Sequence, residues 1–315
     1  STLMRSSAAS DVYKRQCEIL ENVNLKEYNT YRVEAFCKYM AFPKSIKELQ
    51  EVVNYCLHND IKYFVIGNGS NVILDGYLDG IVINMKKLTG IELVSDTDII
   101  AYGGIMMPKL VKFAVKNNLT GLEWASGIPG TLGGGIYGNC GAYNDDIYRY
   151  LQEIIVLHNG KIEHIKANKV FYDYRSTFFQ GKRQYIIVAA HLKLSKGSSR
   201  KSQDLINDRL RRRLASQPLS YPSAGSVFRN PSKEMPAGKL IEESGLKNTK
   251  IGGAVVSLKH ANFIINDGSA TAKDIINLIE LIKKTIKKNY TIDLVTEQEI
   301  VKWDSNAKEN ETKIK

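Results

Sequence analysis

Hydrophobic residues recur along the chain at two different spacings, and each spacing predicts one kind of element. Short apolar runs bounded by polar or glycine residues are typical of strands. The predicted strands cover residues 36–42, 62–66, 81–84, 91–94, 99–102, 154–157, 170–172, 185–194, 253–256 and 263–266. Apolar residues three and four positions apart are typical of helices that bury one face. The predicted helices cover residues 46–56, 110–115, 202–215, 237–244 and 272–286.

Two of these helices begin with residues that are typical helix caps. Ser45 directly precedes the first helix, and Thr271 precedes the last one with Asp274 three positions later. A hydroxyl at the cap and a carboxylate in the first turn satisfy backbone N–H groups that the helix leaves unpaired. Lysines near the end of the last helix suit the helix dipole, so we interpret them as structural. The mixture of helices and strands predicts the α+β class.

The segment Gly121–Tyr143 departs from both spacings, because glycines are interleaved with apolar residues over its whole length. Glycine lets the main chain approach a ligand closely, and Pro129 followed by Gly130 is a turn signal that aims several N–H groups at one point. Thr131 can cap a short helix behind the turn, which adds a positive helix end. Such a concave set of donors suits a pyrophosphate. From composition alone, a purely structural glycine loop is the alternative interpretation.

A second candidate anion site follows the predicted strand at residues 62–66. The turn Gly67–Asn71 reads Gly-Asn-Gly-Ser-Asn, and residues that tolerate a left-handed backbone expose successive N–H groups there. Ser70 and Asn71 add side-chain donors. The turn is not the GxGxxG dinucleotide fingerprint, and the sequence contains no GxxxxGKS/T phosphate loop. Taken alone, it also fits an ordinary hairpin turn.

Three later motifs are more specific than either glycine turn. They are DYR at residues 173–175, YPSAGSVFRNP at 221–231 and LVTE at 294–297. In this order, with the two turns before them, they make the chain resemble the UDP-N-acetylenolpyruvoylglucosamine reductases, the MurB family of bacterial peptidoglycan synthesis, from about Tyr28 to Trp303. The short separation between the first two motifs is similar to that of the family's shorter subgroup. That subgroup lacks an inserted element that closes over the substrate.

The resemblance implies an α+β fold, with a two-part FAD-binding domain of the vanillyl-alcohol-oxidase (PCMH) type and a C-terminal α+β substrate domain. We therefore expect FAD-binding subdomains at residues 17–80 and 81–196 and a substrate domain at 197–303. Residues 1–16 match nothing in the family and are expected to be extraneous or disordered. The polar tail at 304–315 is also expected to be disordered.

The same resemblance implies non-covalent FAD, with its pyrophosphate between the two glycine turns. The residues expected to bind FAD are Gly67, Asn68, Gly69, Ser70, Asn71, Ser126, Gly127, Ile128, Pro129, Gly130, Thr131, Gly134, Asn139 and Gly141. None of the five histidines lies in either turn, where one could tether a flavin. Tyr28–Arg32 is similar to the family's entry segment beside the flavin, and Glu34 and Ala35 stand where the family has glycines.

An arginine, a serine and a glutamate carry the reaction in this family, and the motifs match them to Arg175, Ser226 and Glu297. The implied roles are stabilisation of an enolate by Arg175 and Glu297, and proton donation to carbon by Ser226. A planar guanidinium suits a planar delocalised anion, whereas a serine needs a nearby cation or a water relay to act as an acid. Strand spacing alone cannot choose between Glu297 and Glu299, which would share one face. The residues expected to contact the substrate are Tyr174, Arg229 and Asn230.

Composition bounds this interpretation. The 315 residues are 43% hydrophobic and 24% charged, an ordinary globular content, and no apolar run approaches the ~20 residues of a membrane span. Four cysteines without a CxxC pair or zinc spacing fit reduced thiols in a cytoplasm, so we expect neither disulfide nor metal.

The formal net charge of +11 suits an anionic substrate. The dense basic run Arg209–Arg213 fits a solvated helix face better than a nucleic-acid patch.

Three functions compete for this pattern. The first is reduction by NADPH, through FAD, of UDP-N-acetylglucosamine enolpyruvate to UDP-N-acetylmuramate. The second is another flavin oxidoreductase on the same fold, and the third is a non-catalytic nucleotide-binding or nucleic-acid-binding protein, suggested only by charge. The joint occurrence of Arg175, Ser226 and Glu297 favours the first. A UDP-sugar and NADPH are then the expected partners, with no nucleic acid and no membrane, and the oligomeric state is open.

Overall fold

The computed structural model describes residues 17–303, so the predictions for residues 1–16 and 304–315 lie outside the described residues. The described chain forms two compact units. Unit 1 comprises residues 17–23, Cys37–Gly67 and Asp79–Leu210, and unit 2 comprises Asn24–Phe36, Asn68–Leu78 and 211–303. The domain boundaries expected from the resemblance stay predictions.

The secondary structure is mixed, as the α+β class requires. The α-helices are α1 (Ile46–His58), α2 (Met107–Lys116), α3 (Leu132–Tyr137), α4 (Ser199–Ser216), α5 (Ala237–Glu243) and α6 (Ala272–Tyr290). The strands are β1 (Glu18–Asn24), β2 (Phe36–Phe42), β3 (Lys62–Ile66), β4 (Val72–Asp75), β5 (Tyr77–Asn84), β6 (Ile91–Leu93), β7 (Asp98–Tyr102), β8 (Leu119–Thr120), β9 (Gly141–Ala142), β10 (Asp145–Asp146), β11 (Leu151–His158), β12 (Lys161–Lys166), β13 (Tyr172–Asp173), β14 (Ser176–Thr177), β15 (Tyr185–Lys193), β16 (Ser195–Lys196), β17 (Lys250–Ile251), β18 (Ala254–Val256), β19 (Ile264–Asn266) and β20 (Glu299–Lys302).

The predicted helix caps are confirmed. Ser45 accepts a hydrogen bond from the Glu48 N–H at the start of α1. At α6, the Thr271 hydroxyl accepts from the Asp274 N–H while the Asp274 carboxylate accepts from the Thr271 N–H, a complete capping box. Both caps are local signals, so the sequence alone could specify them.

Unit 1 contains a five-stranded antiparallel sheet in the order β12-β11-β15-β7-β6. Helices α2 and α3 bury Met107, Leu110, Leu132 and Ile136 in the same hydrophobic core as residues of this sheet. A second sheet has the order β1-β2-β5-β3, in which β3 and β5 run parallel from the pair Lys62 and Gly80 onwards. The end of β3 leads directly into the first predicted anion turn.

Unit 2 is built on helix α6, whose apolar face forms a buried core with the strands β17-β18-β19. The predicted face is confirmed, although Ile276 is only partly buried. The fully buried members are Ile275, Leu278, Ile279, Ile282 and Ile286. In the same unit, β20 pairs in parallel with β4, with Glu299 opposite Val72. This pairing places residues 299–302 beside the residues that follow Asn71.

Two strand predictions at catalytic motifs differ from the structure. The strand at 170–172 is instead the two-residue strand β13, Tyr172–Asp173. Glu297 lies in a bend before β20, so the argument from strand spacing does not apply to it. In each case long-range hydrogen bonds, which local propensity does not reflect, determine the backbone.

The described helices include none that is long and apolar enough to cross a membrane. All four cysteines carry free thiols. Within residues 17–303, no group of three or more histidines, cysteines and carboxylates could hold a metal ion.

Candidate active site

The two predicted anion turns meet within unit 1 at Gly67 and Thr131. Gly67 follows β3, and a Cβ built on it would lie 2.4 Å from the Thr131 Oγ1. Thr131 caps α3, as predicted, by accepting the N–H of Gly134 at 3.3 Å. Only glycine at position 67 therefore lets the end of β3 approach the start of α3. The arrangement fits a pyrophosphate held between the two turns, because glycine lets the main chain lie close to a ligand.

The first amides of α3 are not available for an anion, which corrects the prediction that this helix end supplies donors. The Leu132 N–H donates to the Ile105 carbonyl and the Gly133 N–H donates to the Gly103 carbonyl, each at 2.8 Å. The Gly134 N–H is used by Thr131, as described above. An anion at the loop Ser126–Thr131 would contact N–H groups other than those of Ser126 and Ile128, which donate to the Glu123 and Ala125 carbonyls.

A buried carboxylate braces the start of this loop. Glu123 is 5% exposed, and it accepts hydrogen bonds from Ser202 Oγ (2.5 Å), Thr120 Oγ1 (2.6 Å) and the Gly121 N–H (2.9 Å). Burial acts to raise the pKa of Glu123, but the bonds from Ser202, Thr120 and the backbone outweigh it, so the pKa is lowered overall. Glu123 is thus an ionised anchor between α4 and the loop.

Residues 68–71 of the first turn belong to unit 2. Gly69 has a left-handed backbone (φ +63°), and a Cβ there would lie 2.3 Å from the Tyr28 carbonyl oxygen. The Gly69 carbonyl accepts the Thr30 N–H at 3.1 Å, so the entry segment Tyr28–Arg32 packs on the turn. Asn71 Nδ2 donates to the Glu297 carbonyl at 3.1 Å, which connects the turn to a predicted catalytic residue.

Glu34 and Ala35, where the resemblance predicts glycines, bond to residues that precede the entry segment. Ala35 is buried and its carbonyl accepts the Leu25 N–H at 2.8 Å. Glu34 accepts from the side chain of Asn24 at 3.2 Å.

Arg175 lies at a tight hairpin turn between β13 and β14, with an unusual left-handed backbone (φ +54°). Its guanidinium donates to the carbonyls of Asn139 (3.1 Å) and Gly141. It also lies 5.2 Å from the centre of the Tyr174 ring, which is 49% exposed. Two backbone carbonyls from the glycine-rich segment therefore orient the head group of the predicted catalytic arginine.

Ser226 and Glu297 are brought together within unit 2. The Glu297 N–H donates to the Val227 carbonyl at 2.8 Å, one residue from Ser226. Gln298 is buried, and its Nε2 donates to the carbonyls of three successive residues, Ala224 (3.0 Å), Gly225 (3.2 Å) and Ser226 (3.4 Å). The serine loop and the Glu297 bend thus form one hydrogen-bonded structure.

Two buried side chains complete this structure, and no sequence motif predicts either of them. Asn262 donates to the Phe228 carbonyl (2.8 Å) and accepts the Phe228 N–H (3.0 Å). On the other side, Gln298 Oε1 accepts the Tyr31 hydroxyl at 2.9 Å. Neither Asn262 nor Gln298 lies at a motif spacing with a known mechanism, and their partners are distant in sequence, so no local signal could identify them.

Ser226 lines a pocket of about 590 Å³ in unit 2. The other lining residues are Asn230, Pro236, Gly238, Lys239, Glu242, Glu243, Lys259, His260, Ala261 and Asn262. Burial lowers the pKa of His260, so its ring is neutral near pH 7. Because Nδ1 accepts the Asn262 N–H (3.2 Å), the ring proton is on Nε2. The pocket therefore combines hydroxyl, amide and imidazole donors with two lysines.

The fold and these loops define a flavin-dependent oxidoreductase, and comparison with known proteins agrees. Residues 37–166 match the family model for the FAD binding domain. Residues 217–301 match the model for the UDP-N-acetylenolpyruvoylglucosamine reductase C-terminal domain. The UDP-N-acetylenolpyruvoylglucosamine reductase of Clostridium novyi is 40% identical over 290 residues, covering 91% of this chain and 94% of the relative. That of Listeria monocytogenes is 39% identical over 285 residues, covering 90% and 95%.

The chain belongs to the UDP-N-acetylenolpyruvoylglucosamine reductase family. The crystal structure of the reductase (MurB) from Thermus caldophilus superposes with a TM-score of 0.77 at 29% identity, covering 90% of this chain and 99% of that one. The predicted family, the α+β fold with its FAD-binding domain and the FAD cofactor are confirmed. The roles of individual site residues stay predictions.

Proposed function

We propose that this chain catalyses the reduction by NADPH of UDP-N-acetylglucosamine enolpyruvate to UDP-N-acetylmuramate, a precursor of bacterial peptidoglycan, in the cytoplasm. Family membership supports the reaction. The single observation that carries the assignment of residues is the hydrogen-bonded structure that joins Ser226 to Glu297 in unit 2. When bound, FAD supplies the hydride transfer, accepting a hydride from NADPH and passing it to the enolpyruvyl group.

FAD is held without a covalent bond in this proposal. Gly67 and the loop Ser126–Thr131, both in unit 1, would contact its pyrophosphate. The packing of Gly67 against Thr131 supports this contact, because it brings the two predicted turns side by side. Glu123 fixes the loop through α4 and the Gly121 N–H.

Arg175 binds the substrate carboxylate and stabilises it as it becomes an enolate. Its guanidinium is held by two backbone carbonyls, so it is oriented before the substrate binds. Such preorganised charge is worth more than a mobile charge, because it needs no rearrangement as negative charge develops. Glu297 assists in the same step, and Tyr174 contacts the substrate beside Arg175.

Ser226 donates a proton to the carbon that bears the carboxylate. The buried Gln298 and Asn262 fix the backbone on both sides of this residue. A serine hydroxyl is a weak acid, so the proton must be replaced through water or a neighbouring charged group. Glu297 is connected to Val227 through its backbone, and it is the carboxylate that we assign to this relay.

The pocket beside Ser226 binds the nucleotide part of the substrate. A volume of about 590 Å³ is within the range of small-molecule sites. Lys239 and Lys259 line the pocket together with Glu242 and Glu243, so it offers both donors and acceptors of hydrogen bonds to a nucleotide. Asn230 lines the same pocket, and Arg229 is adjacent in the chain, which supports the expectation that both contact the substrate.

The test is to follow the flavin absorbance of the purified protein. We expect a yellow protein that is bleached by NADPH without oxygen and recovers its colour when the enolpyruvyl nucleotide is added. Acid precipitation should release the flavin into solution. A protein that is bleached but not reoxidised by this nucleotide would be a different flavin oxidoreductase, and a colourless protein that cannot take up FAD would overturn the proposal.

A further inference from the structure

Asn139 is a buried residue that bonds both to the Arg175 guanidinium and to the backbone of the hairpin that carries Arg175. It lies just after α3, is 2% exposed and has a left-handed backbone (φ +43°). Its carbonyl accepts a hydrogen bond from the Arg175 guanidinium at 3.1 Å. Its side-chain Nδ2 donates to the carbonyl of Asp173 at 2.9 Å, two residues before Arg175 in the hairpin. One residue therefore fixes both the head group of the arginine and the backbone that carries it.

The residue type matches this arrangement. Asparagine tolerates a left-handed backbone better than most residues, and its short amide supplies the N–H donor that a carbonyl needs. The Asn139 Oδ1 is buried and has no hydrogen-bond partner among the described residues. The donor half of the amide is thus the half that the fold uses.

Gly141 supports the same guanidinium from the next strand. Its carbonyl accepts from Arg175, and a Cβ at this position would lie 2.3 Å from the Asp145 carbonyl oxygen and 3.1 Å from the guanidinium nitrogen Nη1. A side chain here would displace either β10 or the arginine. The segment Asn139–Gly141 therefore holds the Arg175 guanidinium in position.

We infer that Asn139 is a positioning residue for Arg175 and acts in the reduction of the substrate, rather than as the FAD contact expected from the sequence. The inference rests on the proposed function, because it requires Arg175 to act on the substrate. If the Nδ2 bond to Asp173 is lost, the hairpin can move relative to the two carbonyls. A displacement of about 1 Å at a catalytic group can cost on the order of 10²-fold in rate.

The test uses Asn139→Gly, which keeps the left-handed backbone accessible and removes only the amide. Stopped-flow absorbance would measure flavin reduction by NADPH and flavin reoxidation by the enolpyruvyl nucleotide separately. We expect normal FAD content, near-normal flavin reduction and reoxidation slowed by about 10²-fold. Asn159→Gly is the matched control, because Asn159 is an exposed left-handed asparagine (φ +47°) in the β11–β12 turn. It should leave both steps unchanged.

A double variant separates positioning from a direct role. If Asn139 acts through Arg175, then Asn139→Gly combined with Arg175→Lys should be no slower in reoxidation than Arg175→Lys alone, because effects at one coupled site do not add. Independent, multiplied losses would overturn the inference. Should Asn139→Gly fail to fold, Asn139→Asp keeps the size of the side chain and still cannot donate to the Asp173 carbonyl.

The outcomes also separate this inference from the proposed function. If Arg175→Lys leaves reoxidation fast, the proposed role of Arg175 fails. If Arg175→Lys is slow but Asn139→Gly and Asn139→Asp react like the wild type, the positioning role alone fails. Loss of FAD from both Asn139 variants would show that the residue is a cofactor contact after all.

Discussion

The hairpin that carries Arg175 and the loop that carries Ser226 are both irregular, but they are held in different ways. At the hairpin, the Asn139 amide bonds to the backbone, and the backbone carbonyls of Asn139 and Gly141 also hold the side chain of Arg175. At the loop, the side-chain amides of Gln298 and Asn262 hold the backbone on either side of Ser226. The first region fixes a head group as well as its main chain, whereas the second fixes a main chain alone.

The difference follows from the lengths of the two side chains. An arginine loses about 2 kcal/mol of rotamer entropy when it is ordered, so fixing its backbone would leave the guanidinium mobile. A serine hydroxyl has a single side-chain torsion, so a fixed backbone limits the oxygen to three staggered positions. Each region is therefore braced where its functional group would otherwise move.

The largest effect is expected at the serine loop. Ser226→Ala removes the proposed proton donor and leaves the bracing amides untouched. FAD binding and flavin reduction by NADPH should remain near wild type, because neither involves a proton from Ser226. Reoxidation by the enolpyruvyl nucleotide should slow by ~10²–10⁴-fold, as expected for a lost general acid. Stopped-flow absorbance would measure both steps, and fast reoxidation would assign the proton to Glu297 or water.

At the hairpin, Arg175→Lys keeps the charge and removes the planar fork. We expect reoxidation to slow by about 10²-fold, because an ammonium cannot match a planar carboxylate or bond to both the Asn139 and Gly141 carbonyls. Flavin reduction should change little. Equal losses in the two steps, measured on protein with full FAD content, would instead indicate a displaced flavin or a misfolded unit 1.

A third change tests whether side-chain amides really hold the serine loop. Gln298→Leu keeps approximate volume but leaves three carbonyls and the Tyr31 hydroxyl without their partner. The free energy of unfolding should fall by about 3 kcal/mol, since buried polar groups that lose a partner are costly. Urea denaturation would measure this, with the exposed Gln152→Leu as the control. If stability and reoxidation both stay at wild-type values, the amide brace is not needed.

Sequence reasoning succeeded where the determining contacts are local. The caps Ser45, Thr131 and Thr271 bond to N–H groups three residues away, and β2 was predicted with its observed bounds, Phe36–Phe42. It failed where contacts are distant. The Gln298 amide bonds to Tyr31, 267 residues away. The sequence around either residue does not predict this contact.

The catalytic motifs show the same limit. The resemblance selected Arg175 and Glu297, but the strand pattern around them was wrong. The hairpin that carries Arg175 is held by the side chain of Asn139, which bonds to the Asp173 carbonyl 34 residues later in the chain. The bend at Glu297 depends on the Val227 carbonyl and on Asn71. Motif spacing identifies such residues, whereas their backbone depends on tertiary partners.

The bracing groups differ in one further respect, their response to pH. Gln298 cannot ionise and its partners are three carbonyls and the Tyr31 hydroxyl, so its bonds should be the same at pH 7 and pH 4. The loop Ser126–Thr131 in unit 1 depends on Glu123, whose pKa is lowered overall because hydrogen bonds outweigh the effect of burial. A carboxyl with a lowered pKa in the folded state stabilises the protein at pH values above its ordinary pKa. That stabilisation is lost as the pH falls through the lowered value.

The smallest predicted effect follows from this difference. At pH 7, Glu123→Gln should lower the free energy of unfolding by about 1.5 kcal/mol, because the amide keeps only one acceptor oxygen, and a neutral one, for the donors of Ser202, Thr120 and Gly121. Below the ordinary carboxyl pKa of 4.5 the gap between the two proteins should narrow, since the unfolded wild-type carboxyl takes up a proton there, and it should close as the pH falls through the lowered pKa of the folded state. Urea denaturation from pH 7 to pH 3 would measure the gap. The Gln298→Leu gap should stay constant over the same range, because neither the Gln298 amide nor the three carbonyls and the Tyr31 hydroxyl that it contacts titrate there. If the difference in unfolding free energy between wild type and Glu123→Gln did not change with pH, the Glu123 side chain would brace the loop Ser126–Thr131 by its shape alone. That loop and the serine loop would then differ only in which atoms are held.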